Sequence, residues 1–169
     1  MKAGQIRLLA LLAVVVTLFA TYRWWASDQR RIRARFASLQ TELEKSGKEG
    51  TLDRFAHARA VDKLFADGFV IRAQPYEGTL TDRQELMAVV DRYRESAETV
   101  RVGASDVLLT VRENATAEMS AIVEAVGERA GGPGRERLRL RIAWRKDDGE
   151  WRIQELEVLE VLDSSGLFF

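Results

Sequence analysis

A strict two-residue alternation in the second half of the chain constrains the fold more than any other feature. Ala115, Ala117, Met119, Ala121, Val123 and Ala125 alternate with Thr116, Glu118, Ser120, Ile122, Glu124 and Val126. Farther on, Leu138, Leu140, Ile142 and Trp144 alternate with Arg137, Arg139, Arg141 and Arg145. Successive side chains of a strand point to opposite faces, so each run makes a strand with one packed and one wetted face. Glu113-Asn114 and Asp147-Asp148-Gly149 are hairpin turn signals. Thr99–Arg112, with a bend or bulge expected at Gly103, and Trp151–Leu162 complete a four-strand meander. In the last strand Trp151 and Ile153 share one parity, whereas Leu156 and Val158 have the other. One extra residue near Gln154-Glu155, a β-bulge, restores the register. Gly131-Gly132-Pro133-Gly134 reads as a loop.

The first half is helical. Ile32, Phe36, Leu39 and Leu43 recur at steps of 4, 3 and 4, an apolar stripe on a charged helix over 28–45. Gly47 and Gly50 end it. A second helix is expected from Thr51 as N-cap to Ala66, with Asp67-Gly68 as its exit and Phe69–Ala73 as a short strand. After a turn through Pro75 and Gly78, Thr81 and Gln84 have the spacing of a capping box. The helix they open places Leu86, Val89, Val90, Tyr93 and Ala97 on one face.

Ahead of these elements lies an apolar block. Leu8 to Tyr22 is uncharged, and Ile6–Ala26 spans 21 positions with Arg7 and Arg23 near its ends. At about 1.5 Å per residue this reaches roughly 31 Å, the thickness of a hydrocarbon core of about 30 Å. Tyr22, Trp24 and Trp25 sit where an interfacial aromatic belt belongs. The rival is a cleaved signal peptide, but cutting after Ala20 or Ala26 puts Leu18 or Trp24 at the −3 position. The expectation is a single-pass anchor in the cell membrane. Its side stays open: Arg23, Arg30, Arg31, Arg33 and Arg35 after the span point to a cytoplasmic domain, whereas the short basic amino terminus is how an extracytoplasmic signal-anchor begins. The expected organisation is a tail over 1–5, a transmembrane helix over 6–26, a juxtamembrane first helix over 27–50, the rest of the domain over 51–162 and a tail over 163–169.

Composition narrows the function. Basic and acidic residues number 26 each, and residues 1–26 hold three of the bases and no acid. The remaining body carries a slight acidic excess, which argues against nucleic-acid binding. With no Cys and one His, the chain has no disulfide, thiolate zinc site, iron–sulfur cluster, cysteine nucleophile or multi-histidine metal centre. No metal or cofactor is expected.

Three stretches carry a resemblance: Asp67-Gly68-Phe69-Val70-Ile71 after the second helix, Gly78-Thr79-Leu80-Thr81-Asp82-Arg83 into the third, and Asp147-Asp148-Gly149-Glu150-Trp151-Arg152-Ile153 in the final hairpin. In this element order, over about residues 28–162, the chain resembles the nuclear transport factor 2-like superfamily, shared with ketosteroid isomerase and polyketide cyclases. The resemblance implies an α+β cone: helices packed on a curved, mostly antiparallel sheet of four to six strands, with a pocket between sheet and helices. It does not imply an activity, since enzymes, transport factors and assembly modules share the fold.

Candidate pocket residues are His57, which shares a helix face with Val61 and Leu64, and Arg72, Gln74 and Tyr76, which recur at period two. The plainer readings are a structural histidine and a charge-protected edge strand. Asp67 is more simply a turn residue. The ladder Arg137, Arg139, Arg141 and Arg145 is expected to meet Glu118, Glu124, Glu155 and Glu157 across strands, a self-neutralising outer face. Trp144 and Trp151 are expected in the core. No residue is assigned a catalytic role, and Walker, Rossmann, HExxH and GxSxG signatures are absent. The leading expectation is a membrane-tethered, non-enzymatic binding or assembly module. Its partners would be lipid through the N-terminal helix, a protein or small apolar ligand in the cone, and a second copy through the sheet. The alternative is a small acid–base enzyme (isomerase, cyclase or dehydratase) acting on an apolar molecule.

Overall fold

In the computed structural model, residues 13–15, 27–73, 78–129 and 131–165 are described. Residues 13–15 are helical; the rest of the apolar segment 6–26 and residues 74–77, where a turn is expected, lie outside the described residues. No described helix is long and apolar enough to cross a membrane.

Helix α1 (residues 27–43) is followed by strand β1 (Lys45–Ser46), helix α2 (Thr51–Asp62), strands β2 (Phe65–Ala73) and β3 (Gly78–Leu80) and helix α3 (Arg83–Ser96). The meander is β4 (Ala97–Arg112), β5 (Thr116–Arg129), β6 (Gly132–Asp147) and β7 (Glu150–Ser164). One seven-stranded sheet has the order β1-β4-β5-β6-β7-β2-β3, antiparallel except where β2 runs parallel to β7. The α+β cone is as expected, with more strands. The additions, β1 and β3, are two- and three-residue edge strands, too short to show a period.

Parity sets the two faces. Inward on β5 and β6 lie Ala117, Met119, Ala121, Ile142 and Trp144, which pack with Trp151 and Ile153 of β7 against Ile32, Phe36 and Leu39 of α1, Val61 of α2 and Leu86 of α3. Trp144 and Trp151 are buried, as their parity requires. Outward, opposite charges meet: Arg141 with Glu157, Arg139 with Glu160 and Arg135 with Glu124. Ala143 pairs with Glu155 and Trp144 with Ile153, so Gln154 is the extra residue. The expected bulge is there, and further shifts next to Leu140 and Leu138 add to the curvature of β7.

Several local expectations need correction. Asp82, not Thr81, is the N-cap of α3: its carboxylate accepts the Glu85 N–H at 2.9 Å, and a charge-assisted acceptor suits a helix N-terminus. The N-cap of α2 is Gly50 rather than Thr51, with its N–H held by the Asp53 carboxylate at 3.2 Å. That helix stops at Asp62, because Phe65 already pairs with Ile153. Gly103 pairs regularly with Glu124; the β4 bulge falls instead at Asp106 and Val107, where Asp106 has a φ of 52°. Gly132-Pro133-Gly134 is strand, paired to Arg129, Glu128 and Gly127. Strand β7 flanks β6 only from Glu136 onward, so Pro133 sits where one side of β6 is free of a ladder.

Candidate functional site

Strand β5 presents Ala117, Ala121 and Ala125 toward the helices. Small side chains there leave space over the concave face. Under the C-terminal half of α3 that space is a pocket of about 270 Å³, walled by Val89, Val90 and Tyr93 of α3, Val123 and Ala125 of β5, Glu136, Leu138 and Leu140 of β6, and Leu156 and Val158 of β7. Leu43 and Val102 close its sides. Glu136 is the one ionisable carboxylate of this wall and is 1 % exposed. The Ser164 hydroxyl donates to its Oε1 at 3.0 Å, across the last pair of the β6–β7 ladder. The Tyr93 hydroxyl donates to the Leu43 carbonyl at 3.0 Å, and burial pushes the phenol far above its ordinary range. It is therefore a protonated donor already committed to backbone.

At the end of α3 a polar clasp holds α1 and β1 over the sheet. Arg94, 1 % exposed, donates to the Glu49 carboxylate (Nε to Oε2 at 2.9 Å) and to the Glu42 carbonyl. The Lys45 ammonium caps the carbonyls of Arg94 and Ala97. The same Glu42 extends its carboxylate to His57 Nδ1 at 2.7 Å. His57 thus pairs with a carboxylate on the half-exposed flank between α1 and α2, and does not join the pocket wall. It belongs to the clasp.

Arg72 lies on the outer, exposed side of β2 in an ion pair with Glu155. It faces away from the pocket. Gln74 and Tyr76 lie outside the described residues. The four candidates are therefore not brought together among the described residues. Among those residues, no group of three or more acids or histidines is placed to hold a metal ion.

Sequence reasoning missed Glu136 and the role of Tyr93. The signal was present: Glu136 has the parity of Leu138, Leu140 and Ile142. Reading residues 131–134 as a loop hid the strand that carries that parity back to Gly134.

The family model of the SnoaL-like domain matches residues 50–157, more than half of the chain. No curated protein matches the sequence. Among solved structures, the chain is similar to a nuclear transport factor 2-like protein with a cystatin-like fold from Novosphingobium aromaticivorans, at 17 % identity and a TM-score of 0.69 over 89 % of this chain and 92 % of that one. A candidate scytalone dehydratase from the same organism aligns at 13 % identity and a TM-score of 0.69, over 83 % of this chain and 87 % of that one. A hexachlorocyclohexane dehydrochlorinase aligns at 10 % identity and a TM-score of 0.62, over 85 % and 93 %. These likenesses are in fold.

Proposed function

The chain belongs to the SnoaL-like domain family, and from that premise we propose that it is a membrane-tethered, non-enzymatic binding module whose cone pocket takes a small apolar ligand. One observation carries the reading. The pocket wall is aliphatic apart from Tyr93, whose hydroxyl is spent on backbone, and Glu136, while the one histidine–carboxylate pair of the described residues, His57–Glu42, lies outside it. Proton-transfer catalysis needs an acid or base and a second polar group converging on the reacting atoms. An apolar lining with one polar position is the arrangement of a binding cavity. At about 270 Å³ the space lies just below the roughly 300–1,000 Å³ of ligand pockets, so it suits a compact ligand. Tethering rests on the apolar segment 6–26 and its flanking aromatics.

Glu136 favours a second reading. A carboxylate in an apolar cavity is the group from which an acid–base enzyme is built, and the fold neighbours include a candidate scytalone dehydratase and a dehydrochlorinase. Glu136→Gln separates the two. A binding module keeps ligand affinity within a few-fold and shows no turnover of elimination substrates in either form. An enzyme shows turnover in the parent chain that falls about 10²–10⁴-fold in Glu136→Gln.

A further inference from the structure

We propose that the pocket selects a compact apolar amine, its ammonium seated on the Glu136 carboxylate and its hydrocarbon body lying along β6. This deepens the binding reading above and rests on the pocket being a binding site.

The wall is graded along one strand. Glu136, Leu138 and Leu140 line the pocket in succession on β6. At about 3.4 Å per residue, Glu136 and Leu140 are roughly 14 Å apart along the strand. Across the two ladders Glu136 stands between Ala125 and Ser164, Leu138 between Val123 and Val161, and Leu140 between Ala121 and Val158. The polar position is therefore at one end, and hydrocarbon lines the rest. Ala125, with a single methyl group, leaves room beside the carboxylate. A space of about 270 Å³ holds about nine groups the size of a water in the liquid, at roughly 30 Å³ each. The shape suits a small molecule with one polar head.

Charge selects that head. A carboxylate offers about four acceptor sites and no donor, and the Ser164 hydroxyl takes one of them at 3.0 Å. Among the described residues, the wall holds no lysine, arginine or histidine. The buried cations at the end of α3 are spent on the clasp: Arg94 on Glu49 and the Glu42 carbonyl, Lys45 on the carbonyls of Arg94 and Ala97. Arg129 shares the parity of Ala125 but lies about 13–14 Å farther along β5, outside the wall. A negative charge in an apolar cavity favours a ligand that brings the opposite charge together with N–H donors, and it repels an acid. Tyr93 adds an aromatic ring to the same wall, a surface that also prefers a cation. An alcohol donates one hydrogen bond without charge, so it ranks between the amine and the acid.

The test is competition for the wall. The full chain in vesicles of phosphatidylcholine, whose zwitterionic surface does not concentrate cations, is photolabelled with trifluoromethyl phenyl diazirine and mapped by peptide. The competitors are phenethylamine, phenethyl alcohol and phenylacetate, which share one apolar body. The amine should displace wall labelling at a concentration at least about tenfold below the alcohol, with phenylacetate the weakest. In Glu136→Gln the uncharged probe should still label the wall within a few-fold of the parent, while the amine and the alcohol displace it within about threefold of each other. The ranking in the parent chain decides on its own if that variant folds poorly. Equal potency of amine and alcohol, phenylacetate as potent as the amine, or an amine preference that survives in Glu136→Gln overturns the proposal. Saturable labelling without an amine preference removes the amine and leaves the binding site. Labelling that no competitor displaces and that does not saturate removes the binding site and the amine with it.

Discussion

Asp28, in the first turn of α1, accepts the indole N–H of Trp151 at 3.0 Å. The same oxygen takes the Lys146 ammonium at 2.9 Å, and Asp28 is buried at 2 % exposure. The helix that follows residues 6–26 is thereby bolted to the β6–β7 hairpin.

That contact gives a pH dependence with a definite sign. Burial by itself would raise the Asp28 carboxyl, but hydrogen bonds from Trp151 and Lys146, with the Lys146 charge, outweigh it and hold the group below its ordinary value. A carboxyl depressed in the folded state contributes stability above its unfolded pKa of about 3.9 and loses it as pH falls through the lower folded value. Urea midpoints across pH should show Asp28→Asn less stable by about 1–3 kcal/mol near neutrality. The difference should shrink below about pH 4. A constant difference down to acid pH would mean that the carboxylate charge is not the stabilising element.

A glycine contrast tests the strand register. A Cβ on Gly127 would lie 2.1 Å from the Thr99 carbonyl oxygen, whereas one on Gly103 meets nothing within 4 Å. Gly127→Ala should destabilise by about 1–3 kcal/mol through forced backbone movement between β4 and β5. Gly103→Ala should stay within about 0.5 kcal/mol. Equal thermal midpoints for the two variants would contradict the Gly127–Val100 pairing.

Trp144→Ala should cost about 3–5 kcal/mol, since the ring is 1 % exposed at the centre of the core. A variant melting like the parent would contradict that burial.

Much of this fold was legible because strand parity is a strong signal where one face is buried. Met119, Ile142, Trp144 and Trp151 declare the inner face directly, and the parity change between Ile153 and Leu156 marks the bulge at Gln154. Short edge strands and cap positions were not legible. Lys45–Ser46 shows no period, and Thr81 and Asp82 are both good caps, so only geometry decides between them. The pocket was half legible, in the alanines of β5. Its carboxylate had the right parity but was overlooked, because Pro133 between glycines suppressed the strand reading that makes Glu136 inward.

His57 tests the clasp against catalysis. Its carboxylate partner, Glu42, is on a half-exposed helix flank, not in the cavity. His57→Gln should change stability by no more than about 1–2 kcal/mol and leave pocket labelling unchanged. Loss of labelling in a stably folded variant would place His57 in the binding machinery.

The proposed tether is checked by mass spectrometry of membrane-fraction protein. An intact peptide covering residues 6–26 is expected, as no A-x-A-like site precedes Thr21 or Ser27. Recovery of a form beginning near either residue would remove the anchor.

The most direct measurement is photolabelling of the full chain in membranes by trifluoromethyl phenyl diazirine, with and without Leu138→Trp, which fills the pocket from its own wall. The account predicts saturable labelling of the peptides bearing Leu140, Val158 and Val89 that falls at least about tenfold in the filled variant, the loss of roughly 1.4 kcal/mol or more of binding. Wall labelling that is unsaturable, or identical in the filled variant, would contradict a binding site in the cone.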